Sequence, residues 1–150
     1  MNGDSKVRPA EVLLVEDNPI EVLIVRKVID GLPSLHLMHV AKDGVEATDF
    51  LERRGRYENM ELPDLVLLDI SMPRKGGFEV LNEIRQDSLL RRLPVIMFTT
   101  SNDEADIERA YAEGANTFIS KPVKGDEMTH VLSHFADYWT KSARLTGRRP

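Results

Sequence analysis

Short apolar runs alternate with amphipathic stretches five times along this chain. Val12-Leu13-Leu14-Val15, Leu65-Val66-Leu67-Leu68 and Val95-Ile96-Met97-Phe98 are apolar at every position, which suits parallel strands covered on both faces. Leu35 to Ala41 mixes polar with apolar residues and reads as a second strand at a sheet edge. Thr117-Phe118-Ile119 supplies a short fifth strand. The segments between them carry helical spacing. Asn18 is a good N-cap ahead of Pro19, and Ile20, Leu23, Ile24 and Val28 then mark one helical face that Gly31 closes. Later helices turn inward Ala47, Phe50 and Leu51, then Phe78, Leu81 and Ile84, then Ile107, Ala110 and Tyr111 up to Gly114. The last helix follows Met128, Val131, Leu132, Phe135 and Trp139. Gly55 to Pro63 reads as a polar loop, longer than most such connections.

Strands and helices in strict alternation imply right-handed βαβ crossovers and a parallel sheet. The expected fold is therefore α/β, a doubly wound five-stranded parallel sheet of order 2-1-3-4-5 with helices on both faces. At 150 residues the chain makes one domain with a core of its own. It divides into a flexible start at 1–10, the folded unit at 11–137 and a C-terminal extension at 138–150.

Charge and composition narrow the function classes. No apolar run is long enough to span a bilayer, and Met1-Asn2-Gly3-Asp4-Ser5-Lys6 lacks the apolar core of a signal peptide. A cytoplasmic protein is expected. The absence of cysteine removes disulfides and thiolate metal sites. A net charge of -5 argues against general nucleic-acid binding, which depends on Lys and Arg neutralising phosphates. The tail is the basic exception: Lys141, Arg144, Arg148 and Arg149 form either a kinase-docking arm or a disordered end.

The expected strand order carries a prediction that no single motif makes. The carboxyl ends of strands one, three, four and five should meet at the topological switch point, where such sheets bind their ligands. Glu16, Asp17, Asp69, Thr99, Thr100 and Lys121 stand there. Taken alone, Asp17 could start a helix, and Lys121-Pro122 could be a surface turn. Met72-Pro73 and Gly76-Gly77 are turn chemistry whatever the function, and Ser101 with Glu104 fits a capping box. Together these residues exceed that reading. Two carboxylates about 4 Å apart repel by roughly 4 kcal/mol at an effective dielectric of about 20, and Lys121 offsets only part of what three would cost. A divalent cation is the natural remainder, and Mg²⁺ favours carboxylate oxygens, water and phosphate. The parts suit phosphoryl transfer: Asp69 as nucleophile, Mg²⁺ and Lys121 against the spreading charge, and Thr99 donating a hydrogen bond to the acquired group.

Val15-Glu16-Asp17-Asn18, then Leu67-Leu68-Asp69 with Met72-Pro73 and Gly77, then Thr99, then Lys121-Pro122 resembles the receiver domain of two-component response regulators, over about residues 11 to 135. The resemblance implies a flavodoxin-like (βα)5 fold and phosphorylation of Asp69 from the phosphohistidine of a sensor histidine kinase. It implies Mg²⁺ held by Asp17, Asp69 and the Ser71 backbone carbonyl, with Glu16 acting through water where receivers more often carry Asp. The chain would be a phospho-acceptor signalling protein rather than an enzyme, losing its phosphoryl group slowly. The Thr99-Thr100-Ser101-Asn102-Asp103 run, the long loop before Pro63 and the Tyr138-Trp139 ending look like the stand-alone regulators that partner phytochrome-type kinases.

In receivers, phosphorylation draws in the residue at Thr99 and lets the aromatic at Phe118 rotate, so the surface of helix four, strand five and helix five becomes the output. Tyr138 and Trp139 extend the last apolar stripe beyond the need of the fold and suggest a homodimer, through that surface or the C-terminal extension; otherwise this turn folds back on its own domain. His130 and His134, four apart, could chelate a metal, but no further ligand is evident. Two rivals stand beside this reading: a phosphorylation-independent binding module, and an Asp-nucleophile phosphohydrolase, whose Asp-x-Asp acid Ser71 replaces.

Overall fold

The computed structural model describes residues 8–145. Five parallel strands, β1 (Ala10–Val15), β2 (Leu35–Ala41), β3 (Leu65–Leu68), β4 (Val95–Thr99) and β5 (Thr117–Ser120), lie in the order β2-β1-β3-β4-β5. The helices between and after them are α1 (Pro19–Asp30), α2 (Gly44–Leu51), α3 (Gly77–Gln86), α4 (Glu104–Ala112) and α5 (Gly125–Asp137), and α5 runs into a π-helical turn at Tyr138–Ser142. The expected doubly wound α/β fold is the observed one.

Alternation along each strand divides the core in two. Leu13 and Val15 of β1 face the layer of α2, α3 and α4, with Phe50, Leu81, Ile84 and Ala110. Val12 and Leu14 face α1 and α5, with Val25, Ile29, Leu132 and Phe135. Because both faces are covered, β3 and β4 are buried at every position, which is why these strands show no alternation in the sequence. The mixed strand β2 is at an edge, as its polarity predicts, and a bulge between Val12 and Leu13 shifts its register against β1.

Three local expectations are corrected. The buried residues of α1 are Val25 and Ile29, not the face of Ile20, Leu23, Ile24 and Val28: Val28 is only partly buried, and Ile20 and Leu23 are 68% and 60% exposed. This helix is apolar on two sides, so its periodicity alone did not choose a face. The long connection before Pro63 is not simply a polar loop. It contains a 3-10 turn at Gly55–Tyr57 whose Tyr57 is buried, its hydroxyl donating to Glu46 Oε2 at 2.9 Å. In α4, Ala110 is buried while Tyr111 is exposed.

Candidate functional site

Parallel register brings the strand ends together. Val15 pairs with Leu68, Leu68 with Met97, and Thr99 with Ser120, so the residues just beyond β1, β3 and β5 emerge beside one another and beside Thr99. Glu16, Asp17 and Asp69 have carboxylate oxygens mutually within 4.8 Å. Asp69 is nearly buried, its N–H donates to Val15 O at 3.1 Å, and its Oδ1 accepts from Ile70 N–H at 2.9 Å. Oδ2 lies 3.8 Å from Lys121 Nζ. Asp17 is exposed, whereas Glu16 is buried and accepts from Asn18 N–H at 3.0 Å.

Lys121 is fixed at both ends. Its backbone N–H donates to Thr99 O at 2.7 Å, which ties the end of β5 to the end of β4. Its ammonium donates to Glu16 Oε1 and, at 2.6 Å, to Glu21 Oε1. Burial works against the Lys121 charge, but hydrogen bonds to Glu16 and Glu21 and the nearby Asp69 carboxylate outweigh it and raise its pKa. Burial also dominates at Glu16, pushing its carboxyl up to about 7 in spite of Lys121 and the Asn18 N–H. Three clustered acids with one lysine thus leave an excess of negative charge, some of it buried. Oxygen donors in this arrangement fit a divalent cation of the Mg²⁺ kind.

Glu21 was missed by the motif reading. No sequence signal marks it, because α1 is apolar on two sides; only with Val25 and Ile29 inside does its place four and eight residues before them put it on the inward stripe at the top of α1.

The loop after Asp69 is held from two sides. A Cβ on Gly77 would stand 2.1 Å from Asp69 O, so α3 begins directly against the backbone of Asp69. Gly77 is therefore needed for close approach, and the positive φ of the loop falls instead on Arg74, at 67°. The Arg74 guanidinium pairs with Asp43, the N-cap of α2, and Gly44 N–H donates to Lys75 O at 3.1 Å. Ser71 lies exposed in this clamped loop, two residues after Asp69.

Thr99 ends β4 and is buried, its Oγ1 accepting from Ser101 N–H at 3.5 Å. Ser101 is not the cap of α4: Asp103 is, accepting from Ala105 N–H at 3.1 Å. Ser101 Oγ instead donates to Asp106 Oδ2 at 2.7 Å. Phe118 is partly buried against the α2–α4 side of the core, and its N–H donates to the Tyr111 hydroxyl at 3.1 Å.

At the other end of α5, Trp139 packs partly onto its own domain, against the core of α1 and α5, while Tyr138 is 56% exposed. Thr117, Ile119, Val131, His134, Tyr138 and Trp139 border a groove of about 460 Å³. His130 and His134 stand edge to face, 5.9 Å between ring centroids, and no third ligand joins them among the described residues. Lys141 reaches Asp137 at 3.2 Å, and Arg148 and Arg149 lie outside the described residues.

The chain matches the family model of the response regulator receiver domain over residues 12–133. It is 33% identical over 143 residues to the response regulator Rcp1 of Synechocystis sp., covering 95% of this chain and 97% of that protein. The crystal structure of the phosphorylated cyanobacterial phytochrome response regulator RcpA matches with a TM-score of 0.86 at 32% identity, over 93% of this chain and 99% of RcpA. The Mn²⁺-bound form of Rcp1 matches at 0.82 and 32%, over 93% and 100%. The strand order, the acids at the strand ends and these similarities agree, and the chain belongs to the family of response regulator receiver domains.

Proposed function

We propose that the unit spanning residues 11–137 is a phospho-receiver in which Asp69 takes a phosphoryl group from the phosphohistidine of a sensor histidine kinase, with Mg²⁺ as the cation. The observation that carries this is the convergence of Asp69 with Glu16 and Asp17 inside 4.8 Å, with Lys121 Nζ at 3.8 Å. Asp17, Asp69 and the Ser71 carbonyl would hold the metal, with Glu16 acting through water; when bound, it supplies positive charge against the equatorial phosphoryl oxygens. Asp69 Oδ2 attacks phosphorus. The Oδ–P bond forms as the P–N bond of phosphohistidine breaks, and the imidazole nitrogen keeps the electron pair and takes up a proton. Lys121 places its ammonium on the charge that spreads to the phosphoryl oxygens, and Thr99 Oγ1 turns its hydrogen towards the new anion.

Next to this site α1 exposes Ile20, Leu23 and Ile24, an apolar rim that favours a protein donor over a small molecule. A phytochrome-type kinase is the partner suggested by the similarity to RcpA, itself a phytochrome response regulator. The output surface is α4, β5 and α5. Movement of Thr99 towards the phosphoryl group empties space that Phe118 enters, loosening its backbone bond to Tyr111. The groove beside Tyr138 and Trp139 is the candidate contact between two copies of the chain. This chemistry suits a cytoplasmic signalling protein, and no described helix is long and apolar enough to cross a membrane.

Intact mass after incubation with Mg²⁺ and acetyl phosphate tests the acceptor. One phosphoryl adduct, absent in Asp69→Asn and in a metal-free control, is expected. A folded protein that takes no adduct from either acetyl phosphate or candidate phosphorylated kinases would leave the phosphorylation-independent binding module instead. Light scattering on the full chain and on a chain ending at Asp137 tests the dimer: the same number of protomers in both rejects a C-terminal contact.

A further inference from the structure

Lys121 Nζ has three donors, and two are already engaged, on Glu16 and on Glu21 at 2.6 Å. Asp69 Oδ2, at 3.8 Å, lies beyond hydrogen-bond range of the same ammonium. We infer that Glu21 is a positioning residue that holds Lys121 away from the acceptor until a phosphoryl group displaces it, and so limits the rate at which Asp69 is phosphorylated. This rests on the reading of Asp69 as the acceptor.

The placement of Glu21 supports a role at the site. An acid in the first turn of a helix is favoured wherever it points, so helix stability alone does not require the inner stripe. Yet Glu21 lies on the stripe of Val25 and Ile29, each 1% exposed, while Ile20 and Leu23 face solvent. A surface helix ordinarily does the reverse, with charge outside and apolar residues inside. Here the inward carboxylate finds a buried cation, which accounts for the inversion.

The two carboxylates on Lys121 differ in what release costs. The Glu16 side chain is 2% exposed, and losing the lysine would leave its charge buried with the Asn18 N–H in place of a cation; the Glu21 side chain is 29% exposed and can be taken up by water. An arriving phosphoryl group therefore exchanges with Glu21. Glu21 also adds a fourth negative charge to Glu16, Asp17 and Asp69, and so opposes an incoming anion. Competition for the lysine and net charge act in the same direction: both slow phosphorylation.

The test is the rate of adduct formation from acetyl phosphate and Mg²⁺, followed by intact mass in the wild type, Glu21→Gln and Glu21→Asp. In this step the Asp69 Oδ–P bond forms, the P–O bond of acetyl phosphate breaks, and acetate leaves with the electron pair. Glutamine keeps the size and removes the charge, and a rise of about three- to tenfold is expected, the scale of one partly exposed charge-assisted hydrogen bond. Aspartate keeps the charge but shortens the reach, and should fall between. The Lys121 ammonium resonance in ¹H–¹⁵N spectra of the unphosphorylated protein should move in Glu21→Gln, and the rate gain should shrink in a Lys121→Met background to the part that net charge alone supplies. A folded Glu21→Gln protein with an equal or slower rate, or a gain undiminished without Lys121, overturns this inference alone. No adduct in any variant overturns the acceptor reading, and this inference with it.

Discussion

Replacing Gly77 with alanine would place a methyl group 2.1 Å from the carbonyl oxygen of Asp69, 2.9 Å from its carbonyl carbon and 3.0 Å from Ile70 Cα. All three neighbours are backbone, so no flexible side chain can move aside. The first turn of α3 has to retreat from the end of β3, straining the bond from Gly77 N–H to Ile70 O at 2.9 Å. Overpacking of this kind costs about 1–3 kcal/mol, and two-sided backbone contact puts Gly77→Ala near 3 kcal/mol. Helix propensity predicts the opposite sign, a gain of up to about 1 kcal/mol for alanine over glycine. Gly31→Ala is the matched control: its Cβ would meet nothing closer than 3.5 Å, and it should gain about 0.5 kcal/mol by restricting the unfolded chain. Urea unfolding followed by the fluorescence of Trp139, the single tryptophan, measures both. Because two of the three crowded atoms belong to Asp69, the variant should also accept phosphoryl groups more slowly while still folded. Gly77→Ala within about 1 kcal/mol of wild type, with an unchanged adduct rate, would refute the claim that α3 is packed against Asp69.

Asp69→Asn removes two repulsions within 4.8 Å and one attraction at 3.8 Å, so without divalent metal it should stabilise the fold by on the order of 2 kcal/mol. Saturating Mg²⁺ should narrow or reverse that gain by stabilising the wild type more; urea midpoints with and without metal check this. Burial works against the charge of Asp43, but hydrogen bonds from Glu46 N–H and Arg74 outweigh it and hold its carboxyl below the usual 3.8. A depressed pKa gives stability that is present above the unfolded value and lost as pH falls through the folded one. Asp43→Asn should therefore be less stable than wild type near pH 6, with the gap closing as pH drops below about 3.8 in pH-dependent urea unfolding. Phe118→Ala should lose the dependence of partner binding on phosphorylation; titrations of both forms that retain it would remove Phe118 from the switch.

Much of the site is legible in the residue order. Apolar tetrads that run straight into Glu16, Asp69 and Thr99 mark buried strands by lacking alternation, and right-handed crossovers then leave few ways to order them. Asp43, Asp103 and Tyr57 were harder to place. Asp43 shows its role only when Arg74, 31 residues later, meets it across the loop. Ser101 fitted a capping box with Glu104, but Asp103 caps α4 and Ser101 pairs with Asp106 instead. Tyr57 sits in a segment rich in charge and is buried because Glu46 and Phe50 make a place for it.

Sequence alone determined the α/β class, the strand order and the set of residues gathered at the strand ends, because burial on two faces and the period of the backbone are local properties written in residue order. Tertiary structure alone decided which side of α1 is inside, that Glu21 rather than solvent shares Lys121, and that Gly77 serves close approach rather than a turn. Those choices depend on distances between segments far apart in the chain. A helix apolar on two sides has no preferred face until a neighbour arrives, and a carboxylate has no role until a buried cation stands within reach.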